Sequence, residues 1–440
     1  MKFVEDIDIV IEGGFQEVPP IMMHRVKQNF PRPVIKDIEG TVRAELAREE
    51  IRKRIKPGMS IAVCVGSRGV AEIPLLTKTV ISILKEHNTK PFIVPAMGSH
   101  GGAKAEGQKL ILEHLGVTEE AMGAEIRSSM EVVSLGDTHT GQPVYMDKNA
   151  YEADLIILIP RVKVHTDIKG PFESGIMKML TIGLGKHKGT SFYHRFNPYG
   201  DMHNVIPVVG QHVIDNSNVA FALAVVENAY NELAVIKAVP AEKVLEEEPK
   251  LLEISKELMP RIEVDDVDVL IIDEMGKEAS GTGMDPNIMG RASAPDCDCS
   301  QFKAPKIKRI VTLDLTEGSE GNAAGVGLAD IIPKRLFNKI SLNHTYANCV
   351  TGTLLKAAYL PIITNTDYEA FIVGIKTCTY MRNYKDAKVV RIKNTNSIFE
   401  IQVSTTLLDQ VRKRPHCEVL PGSEPITFDA EGNMLPYGAK

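Results

Sequence analysis

Met59-Ser60-Ile61-Ala62-Val63-Cys64-Val65 is a short apolar run rich in β-branched residues, and it reads as a buried strand. Gly66-Ser67-Arg68-Gly69 follows as a loop. Ala71 to His87 then carries apolar residues at helical spacing, with Pro74 in its first turn, where proline is tolerated. The same order recurs downstream. Pro91 to Ala96 reads as a second strand that runs into Met97-Gly98-Ser99-His100-Gly101-Gly102 and then a helix near Ala103 to Leu115. Ala153 to Pro160 reads as a third strand, leading into Arg161-Val162-Lys163-Val164-His165. Repeated strand, loop and helix argues for α/β architecture with a mainly parallel sheet.

Asn218 to Val226 and Leu233 to Val239 extend the strand pattern, and Ala241 to Met259 is an acid-rich helix. Pro260 and Glu263-Val264-Asp265-Asp266 mark a boundary. A second α/β unit follows, with strands at Val267 to Asp273 and Arg309 to Leu315 and a helix near Leu328 to Ile340. Short strands are expected at Ala370 to Ile375, Lys388 to Ile392 and Phe399 to Val403. The expected fold is thus two α/β domains with mainly parallel or mixed sheets and an active-site crevice between them. Residues 1–264 form the catalytic and cofactor-binding domain, 265–421 a domain that closes the crevice, and 422–440 a surface tail rich in Pro, Gly and acids.

Composition narrows the function. The 440 residues are 43% hydrophobic and 25% charged, which is too apolar for a disordered chain. A formal net charge of −6 argues against a general nucleic-acid binder. Apolar runs such as Leu155 to Pro160 are far short of the roughly 18 residues that span a bilayer. Residues 1–14 are broken by acids and lack the pattern of a signal peptide. Six cysteines without regular spacing do not form a disulfide framework. The cytoplasm is the expected compartment.

Arg68, His100 and His165 follow three successive strands. In an open parallel sheet, ligands bind outside the carboxyl ends of the strands, so these side chains are expected to converge. Further on, Lys178 stands among Ile176, Met177, Met179 and Leu180, so it either snorkels or is desolvated and reactive. His187 and His194 are two helical turns apart, on one face, which suits a transition metal or proton transfer. The bland alternative is a solvated basic helix, because Lys186 and Lys188 flank His187.

These residues resemble the nickel-dependent lactate racemase family, whose members carry a nickel-pincer nucleotide. Arg68 in Gly66-Ser67-Arg68 resembles the family's early arginine. Gly98-Ser99-His100-Gly101 resembles its Gly-Thr-His-Arg segment, and His165 stands before Ser174-Gly175-Ile176-Met177-Lys178, where the family has a second histidine and Ser-Gly-Gly-x-Lys. The resemblance implies that Lys178, with Ser174 and Gly175 beside it, holds the cofactor covalently through a thioamide. It also implies that His194, sixteen residues on, ligates nickel, with His187 as the alternative ligand. His100 and His165 become the catalytic acid–base pair.

The pattern departs from the family in several places. The spacing from His165 to Ser174 is longer, Ile176 replaces the second glycine, and the Arg68 loop lacks its acidic and proline neighbours. In the second domain, Ser280-Gly281-Thr282-Gly283-Met284-Asp285-Pro286-Asn287 resembles the family's turn. The glutamine and lysine that hold substrate there are missing, and Arg291 is the nearest cation. Arg68, Arg291, Asp285 and Asn287 are the expected substrate-binding residues, an arginine holding the carboxylate bidentately.

The implied activity is racemisation or epimerisation of a 2-hydroxy acid, lactate or a larger one such as a sugar acid, by proton-coupled hydride transfer. Histidines suit it because their pKa lies near neutrality. The implied partners are a small hydroxy acid and cofactor-assembly enzymes, with no nucleic acid and no membrane. The competing readings are a cofactor-free isomerase or dehydratase on the same fold and a non-catalytic small-ligand or nucleotide-binding protein. Gly321 to Gly327, Cys297-Asp298-Cys299 and His416-Cys417 match no established motif spacing.

Overall fold

The computed structural model describes residues 5–16, 18–67, 69–196, 201–294, 297–299 and 302–436. The chain divides into two compact units, residues 31–259 and residues 1–30 with 260–440.

In the unit of residues 31–259 five strands form one sheet, in the order Lys90–Pro95, Ser60–Val65, Leu155–Ile159, Val219–Glu227, Leu233–Pro240. The first four are parallel and the last is antiparallel to its neighbour. Alternating side chains feed two cores, as strand geometry requires. Ile61, Val63 and Val65 pack with Leu76, Val80 and Leu84 of the helix Ile73–Glu86. Ala62 and Cys64 pack on the opposite face with Met177, Leu180, Tyr193, Val209 and Leu251. Burial on both faces explains why these strands read as continuous apolar runs. The segment singled out from sequence, 165–196, therefore lies over one face of this sheet. An antiparallel hairpin, Val132–Asp137 with Pro143–Asp147, was not anticipated.

In the other unit, nine strands among the described residues form a mixed sheet. Ile362–Thr364, Ile331–Pro333, Lys306–Thr312, Asp266–Ile272 and Val389–Ile392 are parallel neighbours. Glu400–Ser404, Met22–Gln28 and Cys417–Val419 continue it antiparallel.

Several expectations change here. The first thirty residues belong with the C-terminal unit, not with residues 31–264, because Met22–Gln28 pairs with Glu400–Ser404. Nor are residues 422–436 a free tail: Glu424 and Pro425 pair with Met23 and Met22, and Met434 is buried. Ala370 to Ile375 is helix, not strand. It lies within Asp367–Lys376, where Thr366 caps the first turn by accepting from Glu369 N at 3.1 Å. It reads as strand because both its faces are buried, which erases helical periodicity. The helix expected near 328–340 is a strand, Ile331–Pro333, followed by a shorter helix, Lys334–Lys339.

Candidate functional site

Lys163 and Ser174 exchange backbone hydrogen bonds at 2.9 and 3.2 Å and close a loop over 164–173. Glu173 staples that loop from within: Oε2 accepts from His165 N at 2.8 Å. Its carboxyl is pushed up by burial, with Lys169 pulling it back in part. The longer spacing between His165 and Ser174 is thus a closed, internally bonded loop.

The His165 ring is fixed by its own backbone. Nδ1 accepts from Asp167 N at 2.9 Å and from Ile168 N at 3.0 Å, so the ring proton sits on Nε2. Burial, then Lys178, Lys169, Lys163 and His194, holds this imidazole well below its ordinary range. His165 is neutral and presents an N–H.

Ser174 and Gly175 lead into a short helix, Ile176–Lys178, continued by a π turn, Met179–Gly183, and a helix, Lys186–Phe196. Glu248 caps the start, accepting from Met177 N at 2.9 Å. A Cβ on Gly175 would lie 2.3 Å from Glu248 Oε1, so the glycine admits the carboxyl. Burial raises Glu248 to about 8. Lys178 is half-buried, and its charge acts on both His165 and His194. Burial and then Lys178 bring His194 down to about 4, so it too is a neutral imidazole.

The loops after the first two strands pack on the same segment. A Cβ on Gly66 would meet Met179 at 3.3 Å, and Gly98 N donates to Gly183 O at 3.0 Å. His100 is exposed there, with Nδ1 hydrogen-bonded to the Ser67 hydroxyl. Arg68 lies outside the described residues. His165, Lys178 and His194 are thus within electrostatic reach of one another, and His100 stands on a loop packed against the segment that carries two of them.

Other expectations fare differently. His187 is exposed, with Nδ1 3.3 Å from Ser191 Oγ. The basic helix is not uniformly solvated, because Lys186 is fully buried. In the other unit Asp285 caps the helix Pro286–Met289 by accepting from Asn287 N at 2.8 Å. Its own N–H bonds Thr395, just beyond the carboxyl end of Val389–Ile392.

Arg291, expected among the substrate-binding residues, is engaged with the protein itself. It pairs with Asp330 at 2.7 Å and donates to the carbonyls of Leu328, Ile307 and Lys308. Those partners lie at the amino ends of the strands, beside a cleft of about 750 Å³ lined by Asp266, Cys297, Lys306 and Lys388. Arg291 pegs that end together. The glycines of 321–327 make close backbone contacts; a Cβ on Gly325 would lie 1.6 Å from Thr282 O.

Glu248, Glu173, Gln108, Asp147 and Lys186 were not singled out from the sequence. Glu248 carried a legible signal. With Val244, Leu251, Leu252 and Ser255 it falls on the buried stripe of the helix Val244–Leu258, so its phase separates it from the solvated acids beside it.

Among the described residues no group of three or more His, Cys, Asp or Glu side chains is arranged to hold a metal ion, and no helix is long and apolar enough to cross a membrane. The donor set does fit a metal that arrives already chelated and needs one protein ligand. A neutral imidazole is a suitable ligand, His194 is neutral, and the charge of Lys178 acts on it electrostatically.

Comparisons with known proteins agree with the resemblance read from the sequence. Residues 22–199 match the family model for the lactate racemase N-terminal domain. Among solved structures, the lactate racemase apoprotein from Thermoanaerobacterium thermosaccharolyticum is similar over 84% of this chain and 99% of that one. The TM-score is 0.51 at 15% identity, a likeness of fold. No curated protein matches the sequence.

Proposed function

We propose that this chain, a divergent member of the lactate racemase family through its residues 22–199, is an isomerase that inverts C2 of a 2-hydroxy acid. The substrate is lactate or a larger hydroxy acid such as a sugar acid. Lys178 would hold the family's nickel-pincer nucleotide covalently, and His194 would ligate its metal. When bound, that group supplies a hydride acceptor and donor for C2.

The remaining work falls to the chain's own side chains. Arg68 is assigned to the substrate carboxylate, where a guanidinium binds bidentately. Asp285 and Asn287 are assigned to the substrate as well. His100 is the base: when its Nδ1 donates to Ser67 Oγ, Nε2 carries the lone pair that accepts the hydroxyl proton. His165, with its proton on Nε2, stays neutral and donates a hydrogen bond to the substrate oxygen, and the proton taken up by His100 returns to that oxygen when hydrogen returns to C2. Inversion must serve both faces of C2, which is why two imidazoles are assigned and not one.

The observation that carries this reading is the grouping of Lys178 with two imidazoles that burial keeps neutral. The test is expression together with cofactor-assembly enzymes, followed by intact and peptide mass and metal analysis. The expected result is a covalent mass increase on the Lys178 peptide, nickel near one per chain, and loss of optical purity in at least one member of a 2-hydroxy-acid panel. A bare Lys178 peptide without nickel would retire the cofactor assignment, and His194 with it.

A further inference from the structure

Lys186 is completely buried, and its φ of +51° is a left-handed conformation that a non-glycine residue rarely adopts. Its ammonium donates to Pro95 O at 2.5 Å and to Gln108 Oε1 at 2.9 Å, and lies 3.2 Å from Asp147 Oδ2. Gln108 and Asp147 are buried as well. Gln108 Nε2 passes the contact on, donating to Gly98 O at 2.9 Å and to His100 O at 3.3 Å. Three carbonyls within six residues of one loop are therefore held by a single buried network. The network is anchored where the helix Lys186–Phe196, which carries His194, begins.

Stability is a poor explanation for such a network. Taking an ammonium and a carboxylate out of water costs more than their mutual attraction commonly returns, and apolar replacements of similar volume are often neutral or stabilising. A lysine does supply three charge-assisted donors from one fixed point. Here two of them define where the loop after Lys90–Pro95 starts and, through Gln108, where it delivers His100. The same helix also passes close to the loop, since Thr190 Oγ1 lies 2.8 Å from where a Cβ on Gly98 would stand.

We propose that Lys186, acting through Gln108, is a positioning residue for His100, and that it fixes the His100 loop to the element that carries His194. The catalytic consequence rests on the assignment of His100 as the base; the positioning itself does not.

The experiment uses the full chain with Gln108→Met and, separately, Lys186→Met. The imidazole C–H resonances of His100, assigned through His100→Asn, are compared with those of His212, whose ring bonds Leu135 O on another element. In each variant the His100 signals are expected to shift or broaden while those of His212 stay; the thermal midpoint is expected to hold in Gln108→Met and to fall in Lys186→Met, which leaves the Asp147 carboxyl buried without its cation. In cofactor-loaded Gln108→Met, kcat is expected to fall about 100-fold with KM little changed, as for a misplaced catalytic group. Unmoved His100 signals in a folded variant would overturn the proposal. So would failure of both variants to fold, which would assign the network to stability alone. Moved His100 signals in a protein whose parent turns over no hydroxy acid would uphold the positioning and retire the racemase reading.

Discussion

The Glu248 carboxyl faces the N–H groups of Ile176 and Met177 from a fully buried position, and burial outweighs those two hydrogen bonds, so its pKa rises to about 8. The consequence for stability has a definite sign. Below about pH 4.5 the group is protonated folded and unfolded alike and contributes no pH dependence. Between there and pH 8 the unfolded chain releases the proton while the folded chain retains it, so stability falls as pH rises, by up to about 1.4 kcal/mol per unit, and levels off above. Glu248→Gln keeps the shape and an acceptor oxygen but cannot ionise. Denaturant midpoints of variant and wild type should converge near pH 4.5 and separate progressively towards pH 8, with the variant the more stable. Parallel curves across that range would show that the carboxyl is ionised in the folded protein.

The Lys178 segment shows how little room one element leaves for change. A Cβ at Gly175 would stand 2.3 Å from Glu248 Oε1 and 3.2 Å from Val162 Cγ2, so Gly175→Ala must displace either the cap or the Val162 side chain. A loss of about 1–3 kcal/mol in chemical unfolding is expected, the usual cost of overpacking. Gly189, inside the following helix, is the control. Its Cβ would meet Tyr193 at 3.4 Å, an ordinary contact, so Gly189→Ala should be neutral or gain up to about 1 kcal/mol from helix propensity. Equal losses at both glycines would refute the close fit at Gly175. The five sheet strands of residues 31–259 were legible as short apolar runs, and the helices Ile73–Glu86, Ala105–His114 and Val244–Leu258 by their spacing, whereas the hairpin of Val132–Asp137 with Pro143–Asp147 was not. Ala370 to Ile375 was not, since full burial removes the polar face that distinguishes a helix. Lys186 was not either. Its neighbours Lys188 and His187 are exposed, and the partners that bury it, Gln108 and Asp147, lie far away in sequence, where no local spacing reports them.

At the scale of the molecule, the chain leaves one unit after Phe30 and returns to it at Pro260. The order of residues suggested a boundary near 264 but not that a strand from the N-terminus belongs to the second sheet, because antiparallel pairing of Met22–Gln28 with Glu400–Ser404 is a contact across almost the whole chain. The division predicts that residues 31–259 fold alone. Their five-stranded sheet is covered on both faces by helices from the same span, and each face has its own apolar core. Expressed separately, this piece should unfold cooperatively by circular dichroism and retain the hydrogen bonds that set Lys178, His165, His194 and His100. Asp285 and Asn287 lie in the other unit. If that unit supplies substrate contacts, the fragment should still acquire the Lys178 adduct from the assembly enzymes yet turn over no hydroxy acid. A fragment that folds and racemises would confine the whole reaction to residues 31–259. One that folds but stays unmodified would mean that the second unit takes part in loading the cofactor.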